Sequence, residues 1–311
     1  MTRHPARSND FSRSSLKRTT EVVTTRTAKV VTTRTAKGVA TRTAKVVTTS
    51  WPALLFLFIL VTVALLAPVL APHNPLAVDF AHIRQPPSAA HWLGTDKQGR
   101  DILSRLIYGA RISLAVGLFS QIPVLLVGVV AGCAAGYYGG RIDAAIMRTA
   151  DVFYAFPTLL FLIMLMAFLG RGLGTLLLAL TITAWASLAR LVRGQVLQLR
   201  QTEFVTAARC LGASDWRIVW RHLLPNLTGI LLIAVSLGIP AAILAEAGLS
   251  FLGLGLLPPA PSWGLMLSDG FTTLRSAPHI ALFPGLAIAL TMLALFVLAD
   301  SLRDALDPRR G

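Results

Sequence analysis

The feature that most limits what this chain can become is a set of long, uncharged apolar runs. Residues 51–71, WPALLFLFILVTVALLAPVLA, carry no charge over a length that crosses a bilayer as a helix at 1.5 Å of rise per residue. Comparable runs span 112–138, 154–169, 175–191, 227–247 and 280–299. With 54% hydrophobic and 14% charged residues, the chain is not built like a soluble domain. The runs are continuous rather than alternating, which argues against a transmembrane β-barrel. The expected fold class is therefore all-α, a polytopic membrane protein with six transmembrane helices.

A net charge of +15 raises nucleic acid as a partner. The placement of the charge points to membrane topology instead, because Lys and Arg gather between the runs. With six spans and a cytoplasmic N-terminus, the inner side holds eleven in the first 50 residues, Arg141 and Arg148, six from Arg190 to Arg221, and Arg303, Arg309 and Arg310. The outer side holds only Arg84, Lys97, Arg100, Arg105, Arg111, Arg171 and Arg275. Both termini are thus expected in the cytoplasm of a multi-pass cell (inner) membrane protein.

Residues 1–50 read as a separate tail. VVTTRTAK occurs at 22–29 and 30–37, followed by GVATRTAK at 38–45. This eight-residue repeat has no core-forming period, so a disordered basic extension is expected. Phe11 is the only aromatic residue before Trp51, so a base-stacking platform is absent and no nucleic-acid partner is expected. The basic region before the first run is too long for a signal peptide. The remaining divisions are a first span at 51–71, an external segment at 72–110, a five-helix core at 111–300 containing a polar loop at 191–226, and a cytoplasmic tail at 301–311. Cys133 and Cys210 form no framework and are expected to be free thiols.

The stretch 203–226, EFVTAARCLGASDWRIVWRHLLPN, is the most polar and basic long segment in the second half of the chain. It reads as helix, turn, helix, stop. Ala207, Ala208 and Leu211 fall on one expected helical face. Gly212 suits the left-handed position that ends a helix, and Ser214 suits the N-cap of a second short helix through Trp216, Ile218, Val219 and Leu223. Pro225 is expected to break that helix. Such a hairpin at a membrane face can dock a partner, or can be a plain basic connection.

The same stretch resembles the loop signature of binding-protein-dependent ABC transporter permeases: EAA, three residues, Gly, nine residues, Ile-x-Leu-Pro. The matching positions are Thr206, Ala207, Ala208, Gly212, His222, Leu224 and Pro225, with Thr206 and His222 departing from the usual Glu and Ile. Glu203 lies three residues upstream, and this variant is similar to the dipeptide/oligopeptide branch. A second block, LGTDKQGRDILSRLIYGARISL, fits that branch's LGTDxxGRDxxSRLxxGxRxSL at every fixed position. A third, EAGLSFLGLG with PPAPSWG, also resembles it. The resemblance implies a type I ABC importer permease fold and an ATPase-coupling loop comprising Glu203, Thr206, Ala207, Ala208, Gly212, Ala213, His222, Leu224 and Pro225. It further implies two ABC ATPase subunits, a second permease subunit and an external solute-binding protein as partners. The chain has no GxxxxGK[ST] phosphate loop, so it is not expected to be an enzyme, and ATP and Mg belong to the partner subunits rather than to any cofactor here. The implied cargo is di- or oligopeptide, with nickel or glutathione as alternatives.

Other features leave choices open. His73, His82 and His91 stand nine apart, which fits no compact metal motif, and no metal site is expected. Gly128, Gly132 and Gly136 form a small-residue face that suits either a partner permease or internal packing. Glu246 is a candidate ion or proton residue of a secondary transporter, the reading from another class, or an interfacial structural acid. The latter is preferred here because it sits towards one end of its run. Trp51 and Trp263 are expected as interface anchors.

Overall fold

The structure is a computed structural model that describes residues 51–257 and 259–306. The repeats of the basic tail and the last five residues lie outside the described residues. The described chain is helical, and its one β-type pairing is an isolated antiparallel bridge between Thr95 and Asp101.

Helix α1 (Trp51–Leu65) runs almost without interruption into α2 (Ala67–Leu70), together filling the first expected span. A non-spanning segment with one turn of 3-10 helix (Phe80–His82) leads to α3 (Ile102–Tyr138). Asp101 caps α3, its side chain accepting from Ser104 N at 2.8 Å. The helix runs for 37 residues, with Pro123 absorbed within it.

After a Gly139 turn come α4 (Gly140–Ala155) and α5 (Thr158–Leu169). The expectation of one simple span over 154–169 is corrected: residues 140–155 form a 16-residue amphipathic helix, and the chain bends by 90° at Phe156 and Pro157. The acids that look like loop residues are there to pair. Asp143 takes Arg193 Nη2 at 2.6 Å, and Asp151 takes Arg190 Nη2 at 2.6 Å, both from the next long helix. Pro157 explains the bend, since proline disfavours helical conformation in the residue before it.

Helix α6 (Leu173–Leu199) is followed by two short helices, α7 (Glu203–Cys210) and α8 (Asp215–Ile218). One π-turn (Val219–Leu223) joins α8 to α9 (Leu224–Phe251). Pro225 therefore does not stop a helix. The π-turn lets Leu224 N–H reach Val219 O, widening the spiral where proline would otherwise crowd the preceding turn, and the helix runs from Asp215 to Phe251. Helices α10 (Trp263–Phe271) and α11 (His279–Leu306) complete the described residues, and α11 continues without a break through residues 301–306.

Among the described residues, four helices are long and apolar enough to cross a membrane, five if the bent α4–α5 pair is taken as one span, and α1–α2 supplies a further apolar segment. The small-residue face resolves to internal packing. A Cβ on Gly128 would lie 2.8 Å from the Leu188 side chain, one on Gly132 2.6 Å from Ala189 O, and one on Gly136 2.8 Å from Val196, all on α6. The α3–α6 seam is thus a backbone-to-backbone approach that only glycine permits.

Trp263 is 1% exposed and is not an interface anchor. Its indole N–H donates to Leu106 O at 3.0 Å, and its backbone N–H to Ser113 Oγ at 3.3 Å. A buried indole with its polar atom satisfied serves as a core residue. Glu246 is likewise fully buried rather than interfacial, with Ser250 Oγ donating to its Oε1 at 2.7 Å.

Candidate functional site: the hairpin between α6 and α9

The hairpin of α7 and α8 is built to hold one face inward and offer the other. Val205 and Ala208, three residues apart on α7, are buried with Ile218 and Leu223. They join a cluster containing Val192 and Val196 of α6, Cys133 of α3 and Leu227 of α9. The hairpin is therefore continuous with the glycine-lined α3–α6 seam.

The turn has a defined hydrogen-bond pattern. Gly212 has φ +78°, Ala213 N–H reaches Ala208 O at 3.0 Å, and Gly212 N–H reaches Arg209 O at 2.9 Å. This is a Schellman stop, which satisfies two terminal carbonyls and needs a left-handed residue at Gly212. Ser214 then caps α8, its Oγ accepting from Arg217 N at 3.4 Å. Polar ties fix the hairpin to the end of α3. Tyr137 Oη donates to Asp215 Oδ1 at 2.6 Å, and the Arg209 guanidinium lies 5.3 Å from the Tyr137 ring centroid. Arg200 Nη1 donates to Gly136 O at 2.9 Å.

The outward face is apolar and basic. Leu211 is 88% exposed and Trp216 71% exposed, with Phe204 and Trp220 also exposed. The rings of Trp216 and Trp220 sit 5.1 Å apart. Arg209, Arg217 and Arg221 are exposed around them. Clustered exposed aromatics rimmed by charge mark an interaction surface.

The expected loop residues divide between these faces. Glu203 opens α7 and is exposed; Thr206 is exposed, with its hydroxyl donating to Thr202 O at 3.2 Å. Ala207 faces outward, Ala208 inward, and Ala213 is half-buried. His222 and Leu224 are half-buried, Pro225 exposed, and His222 O accepts from Asn226 Nδ2 at 2.6 Å. One face assignment changes. Ala207 and Leu211, four residues apart, share the outer face without Ala208. In the second short helix Trp216 points outward while Ile218 is buried. The missed residues are the outward Phe204, Trp216 and Trp220, whose signal was bulky aromatics inside an otherwise polar stretch.

Within the membrane region, a cavity of about 570 Å³ opens at the α4–α5 bend. Gln121, Thr158, Thr183, Ser187 and Gly238 contribute to its lining. No charged side chain lines it, and both Cys133 and Cys210 are free, the first buried and the second exposed.

A polytopic helical protein with an exposed aromatic and basic hairpin between two spans, and an uncharged, mostly apolar cavity within them, has the features of a membrane transport component. Residues 128–311 match the family described as binding-protein-dependent transport system inner membrane component, and the chain belongs to that family. It is similar to the dipeptide transport system permease protein DppC of Bacillus subtilis (strain 168), with 49% identity over 257 residues, covering 82% of this chain and 79% of that protein. The glutathione transport system permease protein GsiD of Pectobacterium atrosepticum is 44% identical over 82% of this chain and 85% of its own length. The oligopeptide transport system permease protein OppC of Bacillus subtilis (strain 168) is 43% identical over 82% and 84%. An inward-facing structure of the MetNI methionine ABC transporter superposes with a TM-score of 0.54 at 20% identity, covering 66% of this chain and 98% of the other. The fold is thus that of a type I ABC importer permease. The chain is the permease component of a binding-protein-dependent ABC importer, a multi-pass inner-membrane protein working with ATPase and binding-protein partners.

Proposed function

We propose that this permease imports di- and oligopeptides delivered by an external solute-binding protein, and that it works beside a second, different permease subunit on two ATPase subunits. The α7–α8 hairpin seats in a cleft of one ATPase subunit, with Leu211, Trp216 and Trp220 as its apolar anchors. The observation that carries the coupling role is continuity: α8 and α9 form one helix from Asp215 to Phe251, so a displacement of the docked end travels into the membrane without a hinge. ATP and Mg act on the partner subunits. Closure of the ATPases moves the hairpins and opens the path outward, and their separation releases cargo inward. The cavity at the α4–α5 bend has an uncharged, mostly apolar lining with a few polar side chains, Gln121, Thr158, Thr183 and Ser187 among them, which suits passage of a peptide without a strong binding site. The peptide reading draws on the DppC and OppC likeness, and GsiD keeps glutathione as the second cargo.

Uptake in a strain lacking this subunit tests the cargo. Labelled dipeptide uptake is expected to fall to background and to return with the full chain. Loss of glutathione uptake alone would move the cargo to the second reading.

The orientation places both termini and the hairpin in the cytoplasm, in keeping with the Lys/Arg bias. Native Cys210 is exposed in α7, and Ala89 is exposed in the external segment. In intact cells, an impermeant thiol reagent is expected to label A89C in a C210S background, and to leave native Cys210 untouched until the membrane is opened. Labelling of both from outside would overturn this topology.

A further inference from the structure

Of the three histidines spaced nine apart in sequence, the outer two, His73 and His91, are brought together by the folded segment before α3. His73 follows α2, and His91 lies in the turn before the Thr95–Asp101 bridge. Their Nδ1 atoms converge on the same carboxylate oxygen, Asp101 Oδ1, at 3.8 Å from His73 and 2.9 Å from His91. All three atoms lie within 4.8 Å of one another. The two imidazole centroids are 4.7 Å apart.

The rest of the geometry is that of a supported ligand set. Asp101 is buried, and it divides its oxygens between two tasks. Oδ2 accepts from Ser104 N and Ser104 Oγ, both at 2.8 Å, as the cap of α3. Oδ1 is left for the histidines. Ser104 Oγ also accepts from His73 N at 3.0 Å, which fixes the backbone of one histidine to the support of the carboxylate. His91 is half-buried and His73 exposed, so the group is open to solvent on one side. An ordinary cap needs no second imidazole. Two imidazole nitrogens and one carboxylate oxygen, with an outer hydrogen-bond shell and an open side, are the donors that a zinc-type ion takes, water completing the tetrahedron.

We propose that His73, His91 and Asp101 bind a first-row divalent transition metal, of which Zn²⁺ best suits the donors. The ion would tie the segment after α2 and the turn at His91 to the start of α3. This is a site on the permease itself, separate from the α4–α5 cavity and from the hairpin, and it does not depend on which cargo is carried.

The test uses the full chain in its purified transporter complex, with no polyhistidine tag on any subunit. After exposure to Zn²⁺ and extensive dialysis, metal analysis is expected to show one ion per permease in excess of a H73A/H91A variant. Co²⁺ added instead is expected to give the intense visible absorption of a tetrahedral site in the wild type only. His73 is exposed, so H73A alone should leave folding intact and still lose the absorption. Ser104→Ala, which removes outer-shell support but no ligand, is expected to weaken Zn²⁺ affinity by about 10–100-fold. Equal metal content in wild type and H73A/H91A, or none in either, overturns the proposal, as does an unchanged Co²⁺ spectrum in H73A.

Discussion

Replacing Leu211 with Asp and Trp216 with Glu together is expected to abolish uptake while the permease remains folded and inserted. Both side chains are exposed and outside the buried cluster beneath the hairpin, so the permease loses little of its own packing. In a docked cleft they would be anchors, and removing an anchor costs about 2 kcal/mol or more. Two of them weaken the ATPase contact by roughly a thousandfold, at about 1.4 kcal/mol per decade. The expected signature is normal membrane abundance, ATPase subunits lost on co-purification, and no ATPase response to the loaded binding protein. Ala208→Asp is a poorer test, because Ala208 packs in the permease core and a charge there unsettles the subunit itself. Gly212→Val lies between these cases. A Cβ at Gly212 meets nothing within 4 Å, so its cost is the left-handed backbone alone, about 1–2 kcal/mol, and partial coupling should survive. Full uptake and normal stimulated hydrolysis in the Leu211/Trp216 variant would return the hairpin to a plain basic connection.

The contrast between these variants marks what was legible in the sequence. Apolar runs and charge placement gave the spans, because bilayer thickness sets a length that one segment must meet by itself. Gly212 and Ser214 were readable for a related reason: a helix stop and an N-cap are decided within four or five residues. Which side of α7 faces the core was not readable, since it depends on where α3 and α6 stand. The same limit hid the amphipathic α4, whose Asp143 and Asp151 look like loop residues until Arg193 and Arg190 arrive from a helix some 40–50 residues away in sequence. Pro225 misled because a π-turn accommodates it, and a π-turn has no simple sequence signal. The spaced histidines meet the same limit: the sequence separation of His73 and His91 does not reveal that both reach Asp101 in a segment that folds back on the next helix.

The block LGTDKQGRD shows why every position in that stretch matters, and it sets the other large effect. Asp96 is the hub of the external segment. It accepts from Arg100 Nε at 2.7 Å, from Arg105 Nη1, and from the backbone N–H groups of Gln98 and Arg100 at 2.7 and 3.0 Å. Asp269 of α10 completes the network, with Lys97 Nζ at 2.6 Å and Arg100 Nη2 at 3.5 Å. Arg105 is 1% exposed, and its Nε and Nη2 have no hydrogen-bond partner among the described residues. Removing Asp96 would therefore leave a buried guanidinium with Asp269 as its nearest remaining charge, 3.8 Å away. Asp96→Leu is expected to cost about 3–5 kcal/mol, the usual penalty for breaking a buried pair from one side. Low accumulation, rapid proteolysis of the external segment and loss of uptake should follow. Removing both charges in Asp96→Leu/Arg105→Met should recover part of the stability, because Arg105 is then not stranded and buried Arg100 keeps Asp269 at 3.5 Å. The pH dependence gives an independent reading. Burial pushes the Asp96 carboxyl up, but the Arg105 and Arg100 charges and the two backbone donors outweigh it and hold the group below the ordinary 3.8. A lowered folded-state pKa stabilises above the unfolded value and is lost as pH falls through the folded one. The wild-type segment should thus stay protease-resistant from neutral pH down past 3.8 and loosen only below that, whereas Asp96→Leu should lack this acid step. An Asp96→Leu variant as resistant and as abundant as the wild type would show that Asp269 alone holds Arg105, and that the network turns on α10 instead.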